Sequence, residues 1–320
     1  MADATPFVTL PADAAGGVAP AVPAAMEIGG RRFTWGTRTY LMGIVNVTPD
    51  SFSGDGLLAA PAGAAPAEAA TADPAMAALE LGRRMAAEGA DLLDVGGEST
   101  RPGHAPVDEG EERRRVIPAI RALHAALPGV PLSVDTRKPA VAAAALDAGA
   151  ALVNDVAAVV DPSDALFRLV AERAVPLVLM HDRAEPRYGN VVAEVIADLQ
   201  RAIERAVAAG VAWERLIVDP GFGFGKTAEH NLAVLHELSA LRILGRPVML
   251  GLSRKSTIGR VLDLPAPERL EGTLASTALG IAAGVDIVRV HDVEPNRRAA
   301  RMSDAIVRRC RDEEERGTDR

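Results

Sequence analysis

Polar residues of a few chemical types recur along this chain at one kind of place, the C-terminal end of a short apolar run. They are Asn46, Asp94, Asp135, Asn154 with Asp155, His181, Asp219, Ser253, and His291 with Asp292. A single such residue ordinarily caps the helix that follows, and Asp94 or Asp155 alone would carry no more than that. Polar groups at every such end point to a shared role, because burying them without a ligand costs stability. His181 and His291 stand at these ends, whereas His104, His124, His230 and His236 read as helix or surface residues. Lys255 has the chemistry for a Schiff base, but its neighbours Ser253 and Arg254 favour an anion-binding or hydrogen-bonding role. Several familiar devices are missing. There is no His-Glu-x-x-His or Cys-x-x-Cys pair to build a zinc site, and no Gly-x-Ser-x-Gly elbow to present a nucleophile. Gly221-Phe222-Gly223-Phe224-Gly225-Lys226-Thr227 looks like a nucleotide phosphate loop, but only three residues separate Gly221 from the Gly-Lys-Thr unit where that loop needs four. Gly54-x-Gly56 lacks the strand context and later acid of a dinucleotide site and reads as chance.

The elements that must position these residues alternate. Apolar runs fall at Leu41–Val47, Asp91–Val95, Pro131–Asp135, Ala151–Asn154, Val175–Met180, Arg215–Asp219, Arg246–Leu252 and Val285–Val290. Continuous Val, Ile and Leu without polar alternation fits parallel strands buried on both faces. Between them lie segments of helical period, among them Pro74–Glu88, Glu109–Leu127, Pro139–Ala148, Val191–Ala209 and Glu268–Ala283. Gly89, Gly149, Gly210 and Gly284 close four of these, as residues suited to a left-handed cap. Eight strand–helix units in series predict a closed (β/α)8 TIM barrel with its chemistry on the C-terminal rim; a doubly wound open sheet is the alternative. Glu27–Tyr40 reads as a hairpin about Gly29-Gly30 that could cover the bottom of the barrel.

The 320 residues are 48% hydrophobic and 24% charged, enough for one large core. A formal net charge of -8 argues against nucleic acid as a partner. No apolar run reaches the ~18 residues of a spanning helix. The lone Cys310 allows no internal disulfide, and the first residues lack a basic segment followed by an apolar core, so the expected setting is cytoplasmic. Residues 1–26 read as a disordered leader, 27–310 as the barrel domain with a flexible Ala/Pro-rich insertion at 57–73, and 311–320 as a charged tail.

The rim sequences resemble one family. Gly43-Ile44-Val45-Asn46-Val47-Thr48-Pro49-Asp50-Ser51-Phe52-Ser53 is similar to the first signature of the dihydropteroate synthases, and Asp94-Val95-Gly96-Gly97-Glu98-Ser99-Thr100-Arg101-Pro102-Gly103 to the second. Ser133–Thr136, Val153–Asp155, Leu179–His181, Asp219–Lys226, Ser253–Ser256 and Arg289–Asp292 resemble the remaining motifs in order. The resemblance implies a magnesium-assisted enzyme that joins a pterin diphosphate to 4-aminobenzoate, and commonly a homodimer. It implies that Asp219 takes two N–H bonds from the pterin edge, and that Asp135 and Asn154 contact the other ring. By the same likeness Lys255 donates to the carbonyl and a ring nitrogen, Met180 forms an apolar wall, and Arg289 lies over the ring. Asn46, Arg289 and His291 would anchor the diphosphate, with Asn46 near the Mg2+. Phe52, Thr100, Arg101 and Pro102, from mobile loops, would receive the aminobenzoate with Phe224 and Ser253. The family's chemistry has the C–O bond break before the amine attacks, with Asp135, Lys255 and Arg289 as the catalytic set.

Two departures accompany the likeness. The first loop reads Ser53-Gly54-Asp55-Gly56 where the family usually has Asp directly after the serine, and Asp182–Asn190 (DRAEPRYGN) replaces a segment that more often contains Gln-Gly. They keep two alternatives in view, a pterin-dependent methyltransferase and a non-catalytic pterin-binding paralogue.

Overall fold

The computed structural model of the protein describes residues 22–48, 73–98 and 107–308. The chain enters through an antiparallel hairpin, β1 (Met26–Ile28) and β2 (Arg31–Phe33), whose turn is Gly29-Gly30. Met26 already belongs to β1, so the hairpin begins one residue before the expected boundary. Then come β3 (Tyr40–Asn46), α1 (Pro74–Glu88), β4 (Leu92–Gly96), α2 (Glu109–Ala126), β5 (Leu132–Asp135), α3 (Pro139–Asp147), β6 (Leu152–Asp155), α4 (Ala165–Arg173), β7 (Leu177–Met180) and α5 (Val191–Ala208). The series ends with β8 (Leu216–Asp219), α6 (Ala228–His236), β9 (Met249–Leu250), α7 (Ser256–Leu262), α8 (Leu270–Ala282), β10 (Ile287–Val290) and α9 (Val293–Val307). Strands β3 to β10 are all parallel. The ring closes where Val218 bridges Val248 and the Val218 N–H donates to the Pro247 carbonyl at 3.0 Å. The open-sheet alternative is thereby excluded. The run Arg246–Leu252 yields only two strand residues, Met249 and Leu250: Pro247 has no N–H for the ladder, and the Val248 N–H goes to Asp286 Oδ2 at 3.1 Å.

Local chemistry sets the helix limits. Asp73 caps α1 by accepting from the Ala75 N–H at 3.0 Å, Asp108 caps α2 through Glu111, and Asn190 caps α5 through Ala193. The four glycines expected to end helices all adopt positive φ, from 97° to 115°.

Two apolar layers place the site. Outward-facing residues such as Leu41, Val45, Leu93, Val95, Val134, Val153, Leu179, Val218 and Val288 meet the helices. Inward-facing Tyr40, Met42, Leu92, Leu152, Val178, Ile217, Met249 and Ile287 fill the lower barrel, where Ile28, Phe33 and Trp35 of the N-terminal segment pack onto them. Phe33, Trp35 and Tyr40 form a triangle of rings with centroids 4.7 to 5.8 Å apart, and each such buried ring contributes roughly 3 kcal/mol of transfer free energy. Buried Asp91 ties the segment down, accepting from Arg31 and Arg38 at 2.6 Å and from the Leu41 N–H at 2.9 Å. The expected cover of the barrel bottom is therefore a packed plug. Among the described residues no helix is long and apolar enough to cross a membrane.

Candidate active site

Side chains along a strand alternate between the faces of the sheet. The inward position above each apolar floor residue follows from that alone: above Met42 come Ile44 and Asn46, above Leu92 comes Asp94, above Leu152 Asn154, above Val178 Met180, above Ile217 Asp219, above Ile287 Arg289 and His291. Met249 and Gly251 follow the same parity, and the loop after β9 brings Ser253 and Lys255 to the same place. With Asp94 beneath them, these residues surround one cavity of about 340 Å3 at the C-terminal mouth. Asn46, Asp135, Asn154, Met180, Asp219, Phe224, Ser253, Lys255, Arg289 and His291 all line it. Phe52, Thr100, Arg101 and Pro102, and with them Asp55 and Cys310, lie outside the described residues.

The floor of the cavity is a charged cluster. Arg289 donates from Nε to Asp94 Oδ2 at 2.6 Å and from a terminal nitrogen to Asp135 Oδ2 at 2.8 Å. Burial works against the guanidinium charge, but Asp94 and Asp135 outweigh it. Asn154 gives its amide nitrogen to Asp94 Oδ2 at 3.0 Å. A carboxylate can only accept, so Asn154 must turn its amide oxygen away; that oxygen is buried with no hydrogen-bond partner. Asp219 accepts from the Gly221 N–H at 2.7 Å through Oδ1, which leaves Oδ2 for the cavity. Burial pushes Asp219 up, with Lys255 opposing. Burial also pushes Asp135 up to about 7 despite Arg289, with Asp94 and Glu112 adding to the rise. Lys255 is pushed down to about 8 by burial, with Asp219 working the other way. Its ammonium donates to the Phe222 carbonyl and lies 4.4 Å from the centroid of the Phe224 ring. Ile44, Val156, Met180 and Phe224 provide apolar wall. At the mouth, Ser253 Oγ accepts from the His291 N–H at 3.2 Å and lies 3.1 Å from His291 Nδ1, and Arg254 pairs with Asp292 at 2.9 Å.

Three sequence readings change. Asp94 is not on the rim: β4 runs on to Gly96, and Asp94 sits one inward step lower, where it holds Arg289 and Asn154. His181 has the opposite parity to Met180 and faces away from the cavity, 3.0 Å from Asp198 on α5. Asp155 also faces away and accepts from the Ala157 N–H at 2.9 Å, closing the turn that follows β6. Glu98 was not singled out, yet it lines the cavity, held by Lys138 and Arg137. Arg254, Arg269 and Pro267 complete the wall beside Lys255. The Asp182–Asn190 loop packs on the Gly221–Lys226 segment, with Tyr188 donating to the Gly225 carbonyl at 2.8 Å.

The arrangement suits a flat, hydrogen-bonding heterocycle carrying an anionic arm: acceptors and donors on the floor, apolar faces beside them, polar groups at the mouth. A barrel with that site is the architecture of the pterin-binding enzymes, and residues 42–291 match the family model described as pterin binding enzyme. Within that class the chain belongs to the dihydropteroate synthase family. It is 45% identical over 285 residues to the dihydropteroate synthase of Clostridium beijerinckii, covering 89% of this chain and 100% of that one. Among solved structures, the dihydropteroate synthase of Clostridium difficile in the presence of pteroic acid matches with a TM-score of 0.79 and 44% identity, over 86% of this chain and 99% of that chain. The Xanthomonas albilineans enzyme with 4-aminobenzoic acid matches with a TM-score of 0.80 and 44% identity, over 89% and 98%.

Proposed function

We propose that the chain joins 6-hydroxymethyl-7,8-dihydropterin diphosphate to 4-aminobenzoate in this cavity, giving 7,8-dihydropteroate and diphosphate. The observation that carries the site map is the convergence of Asp219, Asn154, Asp135, Lys255 and Arg289 on one cavity. The Asp219 carboxylate takes the parallel N–H pair of the pterin edge, one bond on each oxygen, Oδ1 sharing its lone pairs with the Gly221 N–H. Asn154 offers its unpartnered oxygen to a ring N–H, and Asp135 contacts the same ring. Lys255 donates to the pterin carbonyl and ring nitrogen. Arg289 lies against the ring, where its planar guanidinium stacks while Asp94 and Asp135 hold it. Met180 closes the apolar wall.

Asn46, Arg289 and His291 receive the diphosphate. The C–O bond breaks with its electron pair leaving on diphosphate, and the methylene cation is delocalised into the pterin. Ionised Asp135 stabilises that cation electrostatically. The aminobenzoate nitrogen then forms the C–N bond and sheds its proton. Phe224 and Ser253 from the barrel, with Phe52, Thr100, Arg101 and Pro102, receive the aminobenzoate. Among the described residues no three His, Cys, Asp or Glu side chains gather to hold a metal. Asn46 lines the cavity and would offer its amide oxygen beside the diphosphate. That donor set fits Mg2+, which keeps waters and takes phosphate oxygens in place of a protein cage. When bound, the ion would neutralise charge on the leaving diphosphate.

Supporting observations extend to the assembly. Leu279 on α8 and Met302 and Ile306 on α9 are exposed by 63%, 64% and 63% on helices that pack side by side, which supports a homodimer. The single cysteine and the absence of a long apolar helix among the described residues are in keeping with a cytoplasmic enzyme. The test is turnover. Mixed with the pterin diphosphate, Mg2+ and 4-aminobenzoate, the folded protein releases diphosphate and forms dihydropteroate. Tight pterin binding without product would instead establish the non-catalytic paralogue.

A further inference from the structure

The glycine-rich segment that resembles a phosphate loop has a purpose the reaction scheme leaves unassigned. Its lysine does not reach toward a ligand. Lys226 Nζ donates to the Gly221 carbonyl at 3.1 Å and to the Phe224 carbonyl at 3.1 Å, and lies 2.8 Å from His181 Nδ1. The backbone is wrapped around its own lysine, the reverse of a loop that offers its N–H groups to phosphate. Gly221 and Gly225 make the wrap feasible. Both have positive φ, and a Cβ on either would fall 1.7 Å from the His181 carbonyl oxygen or 2.2 Å from that of Arg183.

The cradle continues outward. His181 Nε2 lies 3.0 Å from Asp198 on α5. Burial, then Lys226, pushes His181 down to about 4, so the ring is neutral at pH 7. With Asp198 as acceptor, Nε2 carries the proton and Nδ1 accepts from Lys226. Burial also pushes Lys226 down to about 7, with Asp219 and Asp182 opposing. The ammonium has three N–H bonds, one for each carbonyl and one for Nδ1; the neutral amine keeps two, enough for the two carbonyls. What this cradle presents to the cavity is the Phe224 ring, 4.4 Å from Lys255, and the Phe222 carbonyl, which accepts from Lys255.

We propose that Lys226 is a positioning residue of this site: by gathering the Gly221 and Phe224 carbonyls and His181 around its amine, it sets the Phe224 ring where the aminobenzoate must stack. The proposal rests on Phe224 lining the aminobenzoate position. The experiment is a double-mutant cycle with Lys226→Met, which keeps the chain length and removes the donors, and Phe224→Ala. Lys226→Met is expected to raise the KM for 4-aminobenzoate about tenfold while calorimetric affinity for the pterin stays within about threefold. In the Phe224→Ala background the same change adds nothing further, because Lys226 acts through that ring. Lys226→Gln, with an amide for two acceptors, restores part of the wild-type KM; if the Met variant melts at assay temperature, Lys226→Gln takes its place in the cycle. Multiplying effects, an unchanged KM, or equal losses for both substrates would overturn the proposal. A Phe224→Ala enzyme with unaltered KM would overturn the site map beneath it.

Discussion

Replacing Asp219 by Asn separates what the carboxylate does for binding from what it costs the fold. Asn is nearly isosteric, and its oxygen can still accept from the Gly221 N–H, which lies 2.7 Å from Asp219 Oδ1. Its amide nitrogen then faces the cavity, where the carboxylate had offered Oδ2. The pterin edge would meet a donor with its own N–H groups. One charged hydrogen bond is lost and a second is left unmade, at about 1.5–3 kcal/mol for the first and about 1–3 kcal/mol for the unpaired donor. The sum, ~2.5–6 kcal/mol, corresponds to a Kd raised about 10^2- to 10^4-fold. Stability should move the other way or not at all. Asp219 is only 3% exposed and burial raises its pKa, so its ionised form is a burden on the apo fold above the ordinary carboxylate range. Calorimetric titration with a pterin ligand and a thermal melt of the apo-protein, both at pH 7.5, read the two halves. A Kd within about fivefold of wild type, or a lowered melting temperature, would refute the reasoning.

Three further outcomes follow from the same geometry. The rate profile kcat/KM should rise with pH through about 7, as Asp135 loses the proton that burial keeps on it, and fall above about 8, as buried Lys255 loses its charge; Asp135→Asn should abolish the acid limb, and a limb that survives would reassign it. Asp94→Ala removes the partner of both Arg289 and Asn154, and leaving those groups buried should cost roughly 2–4 kcal/mol in denaturant unfolding, along with most of the activity. Leu279→Glu combined with Met302→Glu should yield monomers by light scattering, and an unchanged mass would move the dimer contact elsewhere.

The barrel was legible because each apolar run was followed by a helical segment and, in four cases, a closing glycine. The strand-end rule brought Asp135, Asn154 and Asp219 to one rim, whereas the arrival of Lys255 and Arg289 beside them was legible only through family resemblance. Parity along the strands was the signal left unused. Counting in twos from Met42, Leu92, Leu152, Val178, Ile217 and Ile287 separates Asn154 from Asp155, Met180 from His181 and Arg289 from Val290. It would have put His181 outside the cavity and Asp94 within the barrel, one step below the end of its strand. Glu98 escaped notice because its place depends on Lys138, Arg137 and Glu112, which come from two other elements. The short β9 was overestimated because an apolar run does not reveal that Pro247 lacks an N–H and that Val248 gives its own to Asp286.

The hairpin plug has a consequence for traffic. With Ile28, Phe33 and Trp35 seated beneath Met42, Met249 and Ile287, the described residues leave the vessel no lower door. Whatever goes in last must come out first. On the proposed site map, pterin held by Asp135, Asn154 and Asp219 and aminobenzoate received by Phe224 and Ser253 would share the one upper mouth. That map predicts that the pterin loads first, and that a cation formed on it would be shielded from below by the plug and open to attack only from above.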